Sequence, residues 1–269
     1  MPEIVDRAAH QRYVTELRSH LRRYYGQTLG LAPPVVEDAI EKRLTRHRGI
    51  YLAALLDELV GLRGLRLLDV GSGWGELLLA CLEYGADAVG VEPDEDEVRI
   101  SGLLLQSYGL GERAMVGKGE DLSFADDSFD LVTCQQVLEH VRDIDKTVGE
   151  MVRVTRPGGS IFVSTPNYLF PYEGHYRMKW FPMTPKAVGK LILIRRGRDP
   201  TFLIESVNYT NYVQLKRMWR RHGLQSRNVT AELVERGVHP HGLYRNRWWR
   251  FVVTRLRLYP NISWLLTKP

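Results

Sequence analysis

Apolar residues in the first quarter of the chain recur at the spacing of an α-helix. The interval is three or four residues, which aligns them in one stripe at Tyr13, Leu17, Leu21 and Tyr24. Gly26 to Pro34 contains residues that end helices, and the helical pattern resumes from Val35 to Val60. We therefore predict an N-terminal helical cap over residues 1–60, which covers a ligand cleft or packs on the rest of the domain.

From residue 61 onward, short apolar runs alternate with amphipathic stretches. This alternation is typical of a parallel sheet whose connecting helices lie on both faces. The predicted strands cover residues 65–70, 88–92, 114–117, 129–134, 160–164, 224–229 and 262–266. The predicted helices cover residues 74–84, 95–108, 144–155 and 212–222. We therefore predict one α/β domain over residues 61–269, with insertions at about 166–210 and 231–260.

Several residues suited to ligand binding follow the carboxyl ends of these predicted strands. They are Gly71, Glu92, Gln135 and Thr165. Ligands of such sheets bind beyond the carboxyl ends of the strands, where the strand order reverses. We expect these four residues to lie along one rim of the sheet. We also expect Pro157-Gly158-Gly159 to stop the helix before it, and the aromatic stretch 166–182 to be a loop.

The segment from Leu67 to Glu76 predicts a strand, a glycine turn and the start of a helix. Glycine in such a turn lets a ligand approach the backbone closely, because no Cβ is present. With Glu92 at the next strand end, the spacing is close to that of a dinucleotide site. Asp69, however, would repel a pyrophosphate and attract an ammonium or sulfonium group. These charges favour S-adenosylmethionine (SAM), which has a ribose and a positive charge but no phosphate.

Residues 65–165 resemble the class I SAM-dependent methyltransferases, most closely the small-molecule group that includes ubiquinone-pathway and sugar enzymes. The motifs that carry the resemblance are Leu68-Asp69-Val70-Gly71-Ser72-Gly73-Trp74-Gly75, Val91-Glu92-Pro93, Glu120-Asp121-Leu122-Ser123-Phe124, Ser128-Phe129-Asp130-Leu131-Val132, Val137-Leu138-Glu139-His140-Val141 and Arg156-Pro157-Gly158-Gly159. The resemblance implies a Rossmann-like, doubly wound, mostly parallel seven-stranded sheet. It also implies SAM as cofactor and methyl transfer as the reaction.

The resemblance further implies which residues bind SAM. They are Asp69, Gly71, Ser72, Gly73, Gly75, Glu92, Glu120, Asp121, Leu122 and Gln135. Asp69 and the glycine turn would hold the methionine end, which Gln135 would also face. Glu92 would accept hydrogen bonds from both ribose hydroxyls. Glu120, Asp121 and Leu122 would line the adenine.

One position departs from the family pattern. Relatives usually have an acidic residue beside the adenine amino group, where this chain has Lys118. Lysine cannot accept that hydrogen bond. Glu120, Asp121 or the backbone would then have to recognise the base.

Two histidines are the candidate catalytic residues. Displacement at a sulfonium methyl group depends mainly on alignment, but a hydroxyl acceptor also has to lose its proton. His140 follows the fourth long strand and His175 lies in the aromatic stretch, and histidine titrates in a suitable pH range. An architectural role is the alternative for His140. We predict that His140, His175 or both contact the acceptor.

Other acceptor chemistries are disfavoured. Nucleobase amino methylation in this superfamily uses an Asn/Asp-Pro-Pro-aromatic motif, where this chain has Cys134-Gln135-Gln136-Val137. Cytosine C5 methylation needs a cysteine nucleophile, whereas Cys81 and Cys134 lie in apolar patterns and are predicted to be buried and reduced. The basic C-terminal part offers few carboxylates, so no metal is predicted. A hydroxyl or carboxyl group on a small molecule, sugar or lipid remains.

Charge divides the chain into two parts. Residues 1–174 hold 18 Lys/Arg and 28 Asp/Glu, whereas residues 175–269 hold 19 Lys/Arg and 4 Asp/Glu. Such a basic part indicates an anionic partner or a solvated basic surface. Residues 245–259 mix arginine with tryptophan, which suits a membrane interface, a cover over the sheet edge or stacking on RNA.

The predicted activity is O-methylation of a sugar, a glycan or a lipid-linked small molecule. An RNA methyltransferase and a non-catalytic SAM-binding domain remain as alternatives. The chain has no apolar stretch long enough to span a membrane and no secretory leader. We therefore predict a cytoplasmic protein that associates with anionic membranes through residues 231–260. The oligomeric state and the acceptor are not predicted.

Overall fold

A seven-stranded sheet forms the centre of the computed structural model, which describes residues 3–236 and 246–269. Its strands are β1 (Arg66–Val70), β2 (Asp87–Glu92), β3 (Ala114–Val116), β4 (Phe129–Gln135), β5 (Thr155–Pro166), β8 (Gln225–Asn228) and β9 (Asn261–Thr267). Their order is β3-β2-β1-β4-β5-β9-β8, and β9 runs antiparallel to both of its neighbours. The order reverses between β1 and β4, as in a doubly wound sheet. The predicted Rossmann-like, mostly parallel sheet is confirmed.

Helices cover both faces of the sheet because successive strand residues point to opposite sides. Leu67 of β1 packs into one hydrophobic cluster and Leu68 into another. The first cluster contains residues of α4 (Glu76–Glu83) and α5 (Glu95–Ser107), and the second contains residues of α6 (Ile144–Val154) and α9 (Tyr212–Arg221). The strands β1, β2, β4, β5 and β9 therefore contribute to both cores.

Three helices precede the sheet. They are α1 (Arg7–Leu21), which continues into a π-helical segment (Arg22–Thr28), α2 (Pro33–Leu44) and α3 (His47–Val60). The break is predicted to begin at Gly26, but the helical backbone continues to Thr28, and Gly30 then takes a positive φ of 61° before Pro33 starts α2. The wider π-helical turn therefore continues through Gly26, and the helix does not end there. α1 packs on α5 and α3 packs on α4, while the boundary at residue 60 stays a prediction.

Two sequence-based expectations about segment ends are wrong. Pro157-Gly158-Gly159 does not stop the preceding helix, because α6 ends at Val154 and these residues lie inside β5. A register shift between Phe129 and Leu131 of β4 accommodates the longer strand. The stretch 166–182 also contains a hairpin, in which β6 (Tyr172–Glu173) pairs with β7 (Met178–Lys179).

The two predicted insertions contain further helices. The first holds α7 (Lys186–Arg195) and α8 (Thr201–Ser206), and the second holds most of α10 (Val229–Glu235) and all of α11 (Arg247–Leu256). Residues 237–245 of the second lie outside the described part. Among the described residues, no helix combines the length and apolar character needed to cross a bilayer. Both cysteines are buried and unpaired by disulfide, as predicted.

Candidate active site

A cavity of about 1240 Å³ opens along the carboxyl ends of β1, β2 and β4. Gly71, Glu92 and Gln135, which follow these three strands, all line it. Thr165 at the end of β5 is fully buried beside the cavity, where its hydroxyl donates to Glu139. Parallel strands bring their carboxyl ends to one edge, so residues far apart in sequence meet here.

The turn after β1 can be formed only with glycine at two positions. Gly71 has a φ of 72°, and a Cβ there would collide with Val137, which follows β4. Gly75 has a φ of 85°, and a Cβ there would collide with Ser101 on α5. L-residues with a side chain rarely adopt these angles. Glycine at these two positions therefore lets the turn pack closely against Val137 and Ser101, while the turn stays open towards the cavity.

Glu92 is oriented by two backbone N–H groups. The N–H of Gly73 donates to Oε2 at 3.0 Å, and the N–H of Asp94 donates to Oε1 at 3.2 Å. The side chain is 8% exposed and lines the cavity. Burial, with the nearby charge of Glu97, raises the pKa of Glu92 to about 7. Its carboxylate is thus held at the second strand end, where a ribose binds in the dinucleotide folds of this type.

Asp69 lies on the floor of the cavity, 2% exposed. The hydroxyl of Thr133 on β4 donates to its Oδ1 at 2.7 Å. Burial raises the pKa of Asp69 to about 7, although this hydrogen bond opposes the rise. A cationic group bound nearby would favour the ionised carboxylate.

Buried polar atoms around the turn lack partners among the described residues. They are Oγ of Ser72 and both amide atoms of Gln135. Because buried polar groups are normally hydrogen-bonded, these atoms are suited to a polar ligand. Together with the glycine turn and the two carboxylates, they fit SAM: Asp69, Ser72 and Gln135 would hold its amino-acid end and Glu92 its ribose.

The predicted adenine side is only partly in the cavity. Glu120 lines it and accepts a hydrogen bond from the N–H of Arg142 at 2.8 Å, and Lys118 also lines it. Gly75, Asp121 and Leu122 do not line the cavity. Leu122 is buried with its N–H bound to Glu150, while Gly75 precedes α4. Contact of these three residues with the cofactor stays a prediction.

The structure brings the two predicted catalytic histidines together. The rings of His140 and His175 lie 5.1 Å apart, centroid to centroid, and both contact the ring of Phe202. Nδ1 of His140 lies 2.5 Å from the carbonyl oxygen of Ser206, and Nδ1 of His175 lies 2.8 Å from Oε1 of Glu173. In the neutral tautomer that these acceptors favour, Nδ1 carries the proton and Nε2 carries the lone pair.

The two imidazoles differ in basicity. Burial lowers the pKa of His140, and His175 adds to the effect. Burial also disfavours protonated His175, but its hydrogen bond to Glu173 and the charge of Glu173 outweigh this, so the pKa of His175 is raised. Glu173 is fully buried and also accepts from the N–H of Tyr176. His175 is therefore the stronger base of the two.

Glu139 is a third buried group of this cluster. The hydroxyl of Thr165 donates to its Oε2 at 2.8 Å, whereas Oε1 lacks a partner among the described residues and lies 4.0 Å from Nε2 of His140. One potential ligand atom each from Glu139, His140 and His175 lies within 4.8 Å of the others. These residues could hold a divalent cation, so the absence of a metal stays a prediction.

Several residues of the cavity were missed from the sequence. They are Tyr24, Tyr25, Arg43, Arg48 and Phe202. Glu139 and Glu173, which lie behind the two histidines, were missed as well. Glu173 is two residues from His175, and Glu139 precedes His140, which is a usable local signal. The N-terminal helices show only helical spacing, which does not reveal the face that points at a cavity.

The sequence matches the family of methyltransferase domains over residues 68–163. It is 33% identical to a ubiquinone biosynthesis O-methyltransferase of Mesorhizobium japonicum over 135 residues, 48% of this chain and 54% of that protein. The corresponding protein of Aeromonas salmonicida is 29% identical over 75% of this chain and 88% of its own length.

A solved SAM-dependent methyltransferase from Mesorhizobium loti has the same fold, with a TM-score of 0.54 and 16% identity over 81% of this chain and 98% of that one. The chain spans about half the length of the first curated relatives that it matches. The matched residues contain β1, the glycine turn, Glu92 and Gln135, which are the parts of the cavity that fit SAM. Residues 68–163 therefore form a SAM-dependent methyltransferase domain, and SAM is its cofactor.

Proposed function

We propose that the protein transfers the methyl group of SAM to a hydroxyl oxygen of a small-molecule acceptor, with His175 as the general base. The observation that carries the proposal is the buried pair of Glu173 and His175, which opens on the cavity that contains Asp69 and Glu92. A base held by a buried carboxylate is the arrangement by which proteins activate hydroxyl groups.

When bound, SAM would supply an activated methyl group, whose transfer to the acceptor oxygen would break its bond to the sulfonium sulfur and leave the electron pair on sulfur. His175 accepts the hydroxyl proton at Nε2, and Glu173 stabilises the resulting imidazolium. Asp69 and Glu92 orient the other end of the cofactor. Phe202 packs against both imidazoles and excludes water from the acceptor side.

The names of the relatives support oxygen as the methylated atom. Both proteins described above are O-methyltransferases of ubiquinone biosynthesis. The family match covers only residues 68–163, so the acceptor has to be argued from this cavity and surface.

Exposed apolar residues beside basic ones support a lipid-linked acceptor. On α7, Val188, Leu191 and Ile194 form an outward stripe, and Leu191 is 57% exposed. On α11, Phe251 is 69% exposed, and Trp248 and Leu256 are exposed as well. Such helices suit the interface of an anionic membrane, as does the basic C-terminal part of the chain.

Membrane binding should be measurable by flotation. We expect the protein to float with vesicles containing anionic lipid at low salt, and to lose most of this binding in the double variant Leu191→Glu/Ile194→Glu, because charge replaces the apolar stripe. Val213→Glu, on exposed α9, is the matched control and should float like the wild type. Absence of the wild-type protein from the floated fraction would contradict the lipid-linked acceptor.

The main experiment follows the methyl group. Purified protein is incubated with methyl-labelled SAM and fractionated cell extract, and the label is traced in lipid, glycan, small-molecule and RNA fractions. We expect alkali-stable label, as in a methyl ether, in the lipid or small-molecule fraction. The same assay after dialysis against EDTA tests whether a cation is needed. Label in RNA would favour the alternative that the basic part binds nucleic acid, and SAM binding without label in any fraction would favour a non-catalytic domain.

Cofactor affinity should fall in acid. The pKa values of Asp69 and Glu92 are each raised to about 7, so both carboxyls hold protons below that pH and must lose them when the cofactor binds. We expect the Kd for SAM to be higher at pH 6 than at pH 7.5, by about 10-fold for each carboxyl that must ionise. Calorimetry at both pH values checks this, and Glu92→Gln, although it binds SAM more weakly, should show a smaller dependence. A Kd that does not change over this range would contradict the assigned roles.

A further inference from the structure

We propose that Arg48 binds an anionic group, a carboxylate or a phosphate, on the methyl acceptor. The proposal rests on the function proposed above and names a recognition element of the same cavity. Arg48 is the second residue of α3 and lines the cavity, as does Gly49 after it.

Close packing of two helices places Arg48 at the cavity. A Cβ at Gly49 would collide with the carbonyl oxygen of Glu76 at the start of α4, so only glycine lets α3 approach this closely. The start of α3 therefore lies beside the glycine turn. From there the side chain of Arg48 faces the lumen, where it is accessible.

Arg48 has no counter-ion of its own. Within residues 3–236 and 246–269, its guanidinium forms no hydrogen bond or ion pair. The nearby Arg43 has an ion pair and a cation–π contact: its guanidinium lies 3.6 Å from Oε2 of Glu76 and over the ring of Trp74. Glu76 also accepts a hydrogen bond from Trp74 at 2.9 Å. The Glu76 carboxylate is therefore already paired with Arg43 and Trp74.

The surroundings make the positive charge of Arg48 unfavourable in the empty cavity. Burial by protein on the sides away from the lumen, together with the charge of Arg43, lowers the pKa of Arg48 to about 10, well below the usual range of arginine. The guanidinium nevertheless stays charged at neutral pH. A bound anion would relieve the repulsion between the two arginines, and a guanidinium can bind a carboxylate or phosphate through two parallel hydrogen bonds.

The position of Arg48 favours the acceptor over the cofactor as the source of that anion. The carboxylates that act on its charge include Glu139, which neighbours the histidine pair, as well as Glu76. Tyr24, Tyr25, Leu52 and Phe202 line the same cavity and suit an apolar or aromatic body. The geometry thus fits an acceptor that carries its anionic group on an apolar ring or chain.

The test compares matched small probes. Benzoate and phenyl phosphate carry the two candidate anions on one ring, and benzamide is the neutral counterpart of benzoate. We expect the full chain, with SAM bound, to bind benzoate or phenyl phosphate about 10-fold or more tightly than benzamide in calorimetry. Arg48→Met should abolish the difference, and Arg48→Lys should keep part of it. Arg12→Met, on the exposed face of α1, is the matched control and should behave like the wild type.

Each outcome supports or overturns the proposal. Tighter binding of benzoate assigns a carboxylate, and tighter binding of phenyl phosphate assigns a phosphate. Equal binding of benzamide and both anions by the wild type, or anion binding unchanged in Arg48→Met, overturns it. A rise of about 10-fold in the Kd for SAM in Arg48→Met also overturns it, because Arg48 would then bind the cofactor carboxylate. These binding measurements do not depend on turnover. The anion site can therefore be confirmed or overturned independently of the proposed methyl transfer.

Discussion

Replacing His175 with glutamine is expected to lower the turnover number by about 10²- to 10⁴-fold, which is the range for loss of a general base. The Kd for SAM should stay at the wild-type value, because His175 contacts the acceptor side. Glutamine can still donate a hydrogen bond to Glu173, which would otherwise be left buried without that partner. The measurement is single-turnover methyl transfer to the labelled acceptor, together with calorimetry of SAM.

Two further variants separate catalysis from structure. Glu173→Gln keeps an acceptor for Nδ1 of His175 but removes the charge, so we expect an intermediate loss of turnover. The pH profile should also be displaced towards lower pH, because the pKa of His175 falls and the neutral base is then present at lower pH. His222→Ala is the matched control, since His222 pairs with Asp145 on the surface. Wild-type turnover and acceptor KM in His175→Gln would remove this histidine from the reaction, and a loss confined to a His140 variant would make His140 the base.

Asp69→Asn is expected to weaken SAM binding by about 100-fold or more, in the range seen when a buried charged partner is removed, while it stabilises the protein without ligand. The two effects have one cause. Burial makes the ionised carboxylate unfavourable in the empty cavity, and a bound cation offsets that cost. Asparagine has the same shape and can still accept from Thr133, but it never carries the charge.

The stabilisation should depend on pH with a defined sign. The pKa of Asp69 is 3.8 when exposed and about 7 in the folded chain, so the folded state binds more protons than the unfolded state between these values. The wild type therefore loses stability as the pH rises through that window. We expect the advantage of Asp69→Asn to be larger at pH 8 than at pH 5, by about 1–3 kcal/mol. Denaturant unfolding at both pH values measures it.

Asp130 provides a control of opposite sign. It accepts hydrogen bonds from Arg156 and from the backbone of Arg66, and these hold its pKa below the usual range despite partial burial. Asp130→Asn should therefore destabilise the protein at pH 8 and leave SAM binding unchanged. If both variants change stability in the same direction, the environment assigned to Asp69 is wrong.

The glycine turn and the two strand-end carboxylates could be predicted from the sequence, while their contact with SAM stays a prediction. Glycine at 71 and 75 is required by positive φ angles and by neighbours within collision distance of any Cβ, and this requirement appears locally in sequence. Apolar runs such as that of β1 need two buried faces, so they predict a covered parallel sheet. Strand limits are less predictable: β5 runs through Pro157-Gly158-Gly159, which lie at the register shift between the pairing of β4 with Thr155 and its pairing with Ser160.

By itself, the sequence determined the parallel sheet, the glycine turn and the two carboxylates that fit SAM, because these depend on strand periodicity and on spacing within one αβ unit. Only the tertiary structure showed that Glu173 orients His175, that His140 faces it, and that Arg48 reaches the same cavity from the N-terminal helices. The cavity brings together segments up to 127 residues apart, since both Arg48 and His175 line it. Such contacts depend on how separate elements pack together. The sequence around a side chain therefore does not predict which residues lie opposite it in the fold.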